Sequence, residues 1–285
     1  MNANILFSVI TLVSIGILSA GILYVVAQKF YVAEDPRIEI ISEVLPQANC
    51  GGCGYAGCKN FAESIVSSGT LEGFNCPVGG AEVMKKIGEV MGLEVKIAEP
   101  MIAVVRCNGT HAHAPSKISY QGVDSCLFAH ITFSGEGGCP YGCLGLGDCV
   151  KSCQFDAIHI NPETGLPEVN DKCTACGACV KACPRGIIEL RPRGKKDRRI
   201  FVSCVNKEKG AAAKKNCEVA CIGCGKCVQV CPFEAIKLEN NLAYIDPQKC
   251  KLCRKCVEVC PTNAIHEINF PPRKPAQAEA TEAGA

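Results

Sequence analysis

Three stretches of this chain repeat the spacing C-x2-C-x2-C-x3-C-P without deviation: Cys173-Cys176-Cys179-Cys183-Pro184, Cys221-Cys224-Cys227-Cys231-Pro232 and Cys250-Cys253-Cys256-Cys260-Pro261. Three thiolates at that spacing wrap one face of a [4Fe-4S] cube, and the fourth, a turn later, ligates the other cube of a pair. The proline fixes φ and removes a backbone donor where the chain leaves the cluster. The C-terminal pair is therefore expected to group Cys221, Cys224 and Cys227 with Cys260, and Cys250, Cys253 and Cys256 with Cys231. Upstream, Cys139-x3-Cys143-x5-Cys149-x3-Cys153 departs from the pattern, with Gln154 in the place of proline. The same crossover predicts one cluster on Cys139, Cys143, Cys149 and Cys183 and another on Cys173, Cys176, Cys179 and Cys153. The looser spacing leaves a [3Fe-4S] or altered-potential cluster open at the first of these. Structural zinc is the competing reading, but it needs two cysteine pairs, and a third closely spaced cysteine with a fourth before proline exceeds that need.

A further block, Cys50-Gly-Gly-Cys53-Gly-Tyr-Ala-Gly-Cys58, is followed by Cys76 before Pro77. Gly51, Gly52, Gly54 and Gly57 are expected to let backbone N–H groups approach sulfur closely, with a helix carrying Phe61, Ile65 and Val66 covering the cluster; zinc remains the rival. These five sets use 20 of the 24 cysteines, leaving Cys107, Cys126, Cys204 and Cys217. Two of the four end matching apolar segments, MIAVVRCN and RIFVSCVN. A sixth cluster and buried unliganded thiols are equally open readings for them. Disulfide stapling belongs to much shorter chains and fits cysteines two residues apart poorly. The near balance of 30 Lys+Arg and 28 Asp+Glu argues against a non-specific nucleic-acid binder.

Ahead of the cysteines, Ile5–Val26 runs 22 residues without a charge, about 33 Å as a helix, enough to span a bilayer. No Lys or Arg precedes the run and it exceeds a signal-peptide core. Lys29 and Arg37 follow it, which predicts the cluster-bearing bulk on the cytoplasmic side. Asp35-Pro36 reads as an N-cap and first helical turn, with Ile38, Ile41, Val44 and Leu45 on one face. Asn60–Ser68 and Gly80–Leu93 read as helices and Met101–Arg106 as a strand. The 77-residue offset from Cys173 to Cys250 suggests duplication of a two-cluster unit. The expected fold is α+β: a transmembrane anchor (1–28), a small helical 4Fe-4S domain (29–97), a connecting module (98–138), a two-cluster ferredoxin-like domain (139–192), a basic insertion (193–211), a second two-cluster ferredoxin domain (212–270) and a disordered tail (271–285).

Between Arg185 and Lys215 stand 11 basic and 3 acidic residues, either a docking face for an acidic electron carrier or a solvated loop. His111 and His113 lie in a Pro/Ser-containing loop and read as surface histidines. Gly142–Gly147 (GCLGLG) lacks the strand–helix setting of a dinucleotide fingerprint. No general acid, nucleophile or substrate pocket is visible, so catalytic residues are expected to be absent and the chain to move single electrons.

The uncharged anchor, the block LPQANCGGCGYAGCKNFAESI with Cys76-Pro77, and the downstream ferredoxin units together resemble the B subunit of the Rnf complex, the ion-translocating ferredoxin:NAD+ oxidoreductase, in its longer polyferredoxin form. The resemblance covers nearly the whole chain. It implies an electron-relay subunit of a translocase in the cell inner membrane, taking electrons from soluble ferredoxin and passing them to partner subunits that carry flavin, NAD and the ion path. A membrane-anchored polyferredoxin serving a hydrogenase or other reductase, a zinc scaffold and a redox sensor are the alternatives; the Cys50–Cys76 block favours the first reading.

Overall fold

The computed structural model describes residues 3–30, 35–95, 99–132 and 135–272; the expected tail falls, from residue 273 on, outside them. Helix α1 spans Ala3–Lys29, and among the described residues it is the one helix long and apolar enough to cross a membrane. Its hydroxyls turn back onto its own carbonyls, Thr11 Oγ1 to Phe7 O at 3.1 Å and Ser19 Oγ to Ile15 O at 2.7 Å. That satisfies them without water, as an apolar surround requires.

Three short helices follow: α2 (Pro36–Val44), α3 (Cys58–Ser68) and α4 (Gly80–Met91). The Asp35 carboxylate caps α2 by accepting from the Arg37 backbone N–H at 2.9 Å, and Pro36 sits where a missing N–H costs nothing. Ile41, Leu45, Phe61, Ala62, Ile65, Met84 and Ile87 are buried where the three helices meet. Tyr55, Phe61 and Phe74 form an aromatic triangle with centroids 5.5 to 6.0 Å apart, packed beside Cys53, Cys58 and Cys76.

The remainder consists of two units of one design. In the first, β1 (Met101–Val105) pairs antiparallel with β4 (Ile188–Pro192), and β2 (Ile158–Ile160) with β3 (Pro167–Val169). Single-turn helices α6 (Asp148–Lys151) and α7 (Ala178–Ala182) pack together, and α5 (Cys126–Thr132) lies alongside. In the second unit β5 (Arg199–Val202) pairs with β8 (Ile265–Ile268), β6 (Ile236–Glu239) with β7 (Leu242–Ile245), and α9 (Lys226–Gln229) packs on α10 (Lys255–Glu258). Helix α8 (Gly210–Asn216) precedes its cysteines. The stretches expected as a connecting module and a basic insertion each contain the strand that opens the following unit. An apolar segment gains its backbone partners by pairing with the last strand of that unit, Val105 opposite Ile188 and Val202 opposite Ile265.

Two buried arginines hold the units together. Arg106, directly after β1, donates to Val202 O and Cys204 O at 3.3 Å each and to Glu189 at 3.2 Å. Arg191 donates to Glu189 and to Ile200 O, and stacks over Phe201 and Tyr244. Both side chains are almost wholly withdrawn from water, so the shared Glu189 carboxylate is what keeps them from being uncompensated buried charges. Glu189→Ala is expected to destabilise this junction by about 3–5 kcal/mol. Hydrogen exchange of β1, β4, β5 and β8 would accelerate while α2–α4 stay protected; unchanged exchange in those strands would contradict the assignment.

Candidate iron–sulfur centres

None of the 24 cysteines is in a disulfide, and sixteen of them line four cavities, four to each. Cys153, Cys173, Cys176 and Cys179 line one cavity, and Cys221, Cys224, Cys227 and Cys260 line another. Cys126, Cys143, Cys149 and Cys183 line a third, and Cys107, Cys139, Cys204 and Cys217 a fourth. Each of the four is a tight space of about 20 Å³. Cys231, Cys250 and Cys253 lie close enough to Cys256 for their charges to act on it, and Cys53 and Cys58 act likewise on Cys76. Cys50 opens that last loop. The sulfurs stand around spaces rather than converging on points: among the described residues no three Cys, His, Asp or Glu side chains are placed to hold one ion. Tetrahedral zinc would need sulfurs about 3.8 Å apart, given a Zn–S bond of about 2.3 Å. Four thiol donors around a small cavity suit a cube of iron and sulfide.

Two sets depart from the expected grouping. Cys139 does not join Cys143, Cys149 and Cys183; it faces Cys107, Cys204 and Cys217, and Cys126 takes the place expected for it. The reason is a register that the local repeat carries. Cys143-Leu-Gly-Leu-Gly-Asp-Cys149 has the same length as Cys221-Ile-Gly-Cys224-Gly-Lys-Cys227, so Leu146 stands where the second unit has Cys224. Cys126 fills that gap from α5. Cys139 and Cys217 then match one another, each four residues before the first cysteine of its run, as Cys107 and Cys204 match at the ends of β1 and β5. The Cys107–Cys139–Cys204–Cys217 set thus takes two equivalent sulfurs from each unit and lies between them.

Asp148, for which the spacing of the cysteines gives no role, holds Cys126 in position. Its carboxylate accepts from Ser125 Oγ at 2.9 Å and from the Leu127 N–H at 3.0 Å. Burial would raise its pKa, but these hydrogen bonds, with one from the Cys126 backbone and the charge of Lys151, hold it below the usual carboxylate range. Asn49 does similar work in the first domain, accepting from the Cys58 N–H at 2.8 Å, and Asn206 donates to Cys139 Sγ at 3.5 Å.

Backbone N–H groups reach sulfur at several centres. Gly79 donates to Cys76, Cys143 to Cys107, Ala157 to Cys153 and Ala264 to Cys260, at 3.3 to 3.4 Å. The repeated Q/P-x-x-A-I motif supplies the last two. Asp156 and Asn263, just before those alanines, take φ of 51° and 53°, which turns the following N–H back towards the fourth cysteine. The glycine loop also lets two domains come close. A methyl group at position 52 would lie 2.8 Å from Cys176 O and 3.0 Å from Pro77 Cγ, so Gly52 serves the approach of two cysteine loops from different domains. Each set adjoins the next: Gly52 meets Cys176, Cys149 acts on Cys179, Cys107 accepts from Cys143, Cys221 acts on Cys204, and Cys227 acts on Cys256.

His111 is exposed, and half-buried His113 faces Glu218 at 3.6 Å; neither lies in a cysteine set. Burial, reinforced by neighbouring thiols, pushes Cys143, Cys179 and Cys256 up to about 12 and Cys149, Cys204 and Cys227 up to about 11.

The family of 4Fe-4S dicluster domains matches residues 140–190, and a second model of that description matches 172–235 and 220–264. An Fe-S cluster family matches residues 45–78. The chain is 45% identical over 247 residues to the B subunit of the Na(+)-translocating ferredoxin:NAD(+) oxidoreductase complex of Acetobacterium woodii, covering 84% of this chain and 73% of that protein. It is 42% identical to the B subunit of the ion-translocating oxidoreductase complex of Methanosarcina acetivorans, over 88% of this chain and 93% of that one. It is 40% identical to the B subunit of the proton-translocating ferredoxin:NAD(+) oxidoreductase complex of Clostridium ljungdahlii, over 88% and 87%.

Two outcomes follow from the site. Asp148→Ala removes the clamp on residues 125–127, so a chelator is expected to strip iron from the Cys126 set several-fold faster while the other sets hold theirs; uniform rates would contradict the role of Asp148. Raised thiol pKa values mean that iron must displace protons which are fully present at neutral pH. Iron retention against a competing chelator is therefore expected to strengthen as pH rises from about 6.5 to about 8.5 and weaken as it falls.

Proposed function

The chain belongs to the B-subunit family of ion-translocating oxidoreductase complexes, and from that premise we propose that it carries six [4Fe-4S] clusters in unbranched series, along which electrons from reduced ferredoxin pass towards partner subunits in the membrane. The chain relays electrons through iron–sulfur clusters as part of an oxidoreductase complex, and transforms no substrate of its own. What supports the finer reading is that sixteen cysteines line four cavities, four to each, and that the other eight fall in the Cys50–Cys76 block and the Cys231–Cys256 stretch, where neighbouring thiols act on Cys76 and on Cys256. Cys231, Cys250, Cys253 and Cys256 lie at one end of the series. Then come Cys221, Cys224, Cys227 and Cys260; next Cys107, Cys139, Cys204 and Cys217; next Cys126, Cys143, Cys149 and Cys183; next Cys153, Cys173, Cys176 and Cys179. Cys50, Cys53, Cys58 and Cys76 close it.

A bound cube supplies reversible one-electron transfer at low potential. The rest is the work of this chain. Backbone donors from Gly79, Cys143, Ala157 and Ala264 offset charge on sulfur, which favours the reduced state, and buried aliphatic walls exclude water. Gly52 lets the first domain close on Cys176 without a side chain between them. Helix α1 is read as a single-pass anchor in the cell inner membrane with the cluster domains on the cytoplasmic side, supported by its length and by Lys29 after it. The other subunits of the complex are read as holding the flavin, nicotinamide and ion sites. A polyferredoxin serving a hydrogenase shares the downstream units, but the similarity to these B subunits, running from the Cys50 block through both units, favours the present reading.

Purified chain is expected to hold about 24 irons and as much acid-labile sulfide, four per cube. Paired substitutions test the grouping. Cys126→Ser with Cys149→Ser should remove about four irons, whereas Cys139→Ser with Cys149→Ser should remove about eight. The reverse pattern would restore the grouping expected from spacing alone. A folded, competent chain free of iron would end the relay reading altogether.

A further inference from the structure

One cleft, lined by residues of both units, differs from the cysteine cavities in size and charge. It measures about 820 Å³, and its walls include Arg191, Lys195, Arg198, Arg199 and Lys251, with Glu99 the one carboxylate among the described residues lining it. Arg191 Nη2, Arg198 Nε and Arg199 Nε are buried atoms without a hydrogen-bond partner. Arg191 is 2% exposed and Arg199 8%, so guanidinium donors lie desolvated in the wall with capacity left for an acceptor. Part of this charge serves the protein itself, since Arg191 is paired with Glu189, Arg199 with Asp197, and Arg191 also acts on Cys250. Lys195 and Lys251 are not engaged in this way. Both are exposed, and neither has a carboxylate partner among the described residues.

The position of the cleft matters as much as its charge. Cys250 is in its wall. Cys253, of the same set, is one of two exposed cysteines among the 24. The opposite end of the series is occupied by Gly52 against Cys176 and by the domain next to the apolar helix. A soluble donor therefore finds its open approach at the Cys231–Cys256 end, where Arg191, Lys195, Arg198, Arg199 and Lys251 line the cleft.

We infer that this cleft is the docking site for the acidic face of a soluble iron–sulfur carrier protein, which gives its electron to the Cys231–Cys250–Cys253–Cys256 set. The inference rests on the relay reading above and adds the place of entry. Lys195, Arg198 and Lys251 steer the carrier by long-range attraction, and its carboxylates meet the exposed Lys195 and Lys251 ammonium groups at contact, with the buried guanidinium groups adding positive potential behind them. One electron leaves the reduced carrier and one enters the relay, with no bond made or broken. At about 820 Å³ the cleft has room for a protruding acidic loop, whereas a single small anion would leave most of it unfilled.

The test uses the intact complex and measures two rates of cluster reduction by stopped-flow bleaching, one driven by a reduced acidic ferredoxin and one by dithionite. Combining Lys195→Glu, Arg198→Glu and Lys251→Glu is expected to lower the ratio of the two rates at least about tenfold at low ionic strength and to abolish its decline with added salt. A control, Lys85→Glu with Lys86→Glu on α4, should leave the ratio unchanged. An unaltered ratio in the triple variant, or an equal fall in the control, overturns the inference. So does competition by inorganic phosphate or anionic vesicles in place of any effect on ferredoxin, which would make the cleft a small-anion or lipid site. If the triple variant loses iron, Lys251→Glu alone decides, since that side chain is exposed and contributes to no buried contact. Failure of ferredoxin to reduce the unaltered complex, with dithionite still effective, would instead remove the relay reading on which the inference stands.

Discussion

Four thiolates must surround each inorganic cube, and a short loop can offer only three of them from one side. Everything in the cluster-bearing region follows from where the fourth comes from. In both repeated units it crosses over from the partner half, Cys183 and Cys153 in one, Cys260 and Cys231 in the other. With a cube bound, each crossing would tie two half-units together through bonds far stronger than the packing of four-residue helices and three- or four-residue strands. The apolar clusters around them are correspondingly modest and include the cysteines themselves as members. Metal loading and folding are one process in such a structure.

The two units also show what becomes of a repeated design when one copy diverges. Loss of a cysteine at the position of Leu146 does not open the set, because α5 delivers Cys126 to the same cavity and Asp148 pins the turn that presents it. The set between the units is built by the opposite route. Cys107 and Cys204 sit at the ends of equivalent strands and Cys139 and Cys217 ahead of equivalent runs, so a near-twofold arrangement places two sulfurs from each side around one space. Arg106 secures that arrangement by bonding to the carbonyls of Val202 and Cys204 across the boundary. Burial raises the thiol pKa of Cys107, Cys204 and Cys217, which makes protons stronger competitors for them.

Electron transfer in this family depends on short steps between adjoining centres, and the glycine at position 52 illustrates how that is met. Its lack of a side chain was legible as a reason for close approach, and the fold adds that one partner in that approach is the Cys176 carbonyl of another domain. The basic stretch from Arg185 to Lys215 was similarly visible as charge. Its division into structural arginines, held by Glu189 and Asp197, and exposed lysines at a cleft rim emerges only once β4 and β5 are placed.

By itself the sequence determined the chemistry: sulfur ligands, cube-forming spacing, crossover between runs, the capped helix after Asp35, the apolar span ahead of it, and the family. All of these rest on interactions between residues close in the chain or on regular spacing, and local spacing is what a sequence displays. Tertiary structure decided which sulfur completes which set wherever the donors lie far apart. Cys126 and Cys139 exchanged their expected places because a ligand reaching its cavity from 17 or more residues away is positioned by strand pairing and by the Asp148 clamp. Distance along the chain carries no record of direction, and only the packed fold turns it into proximity.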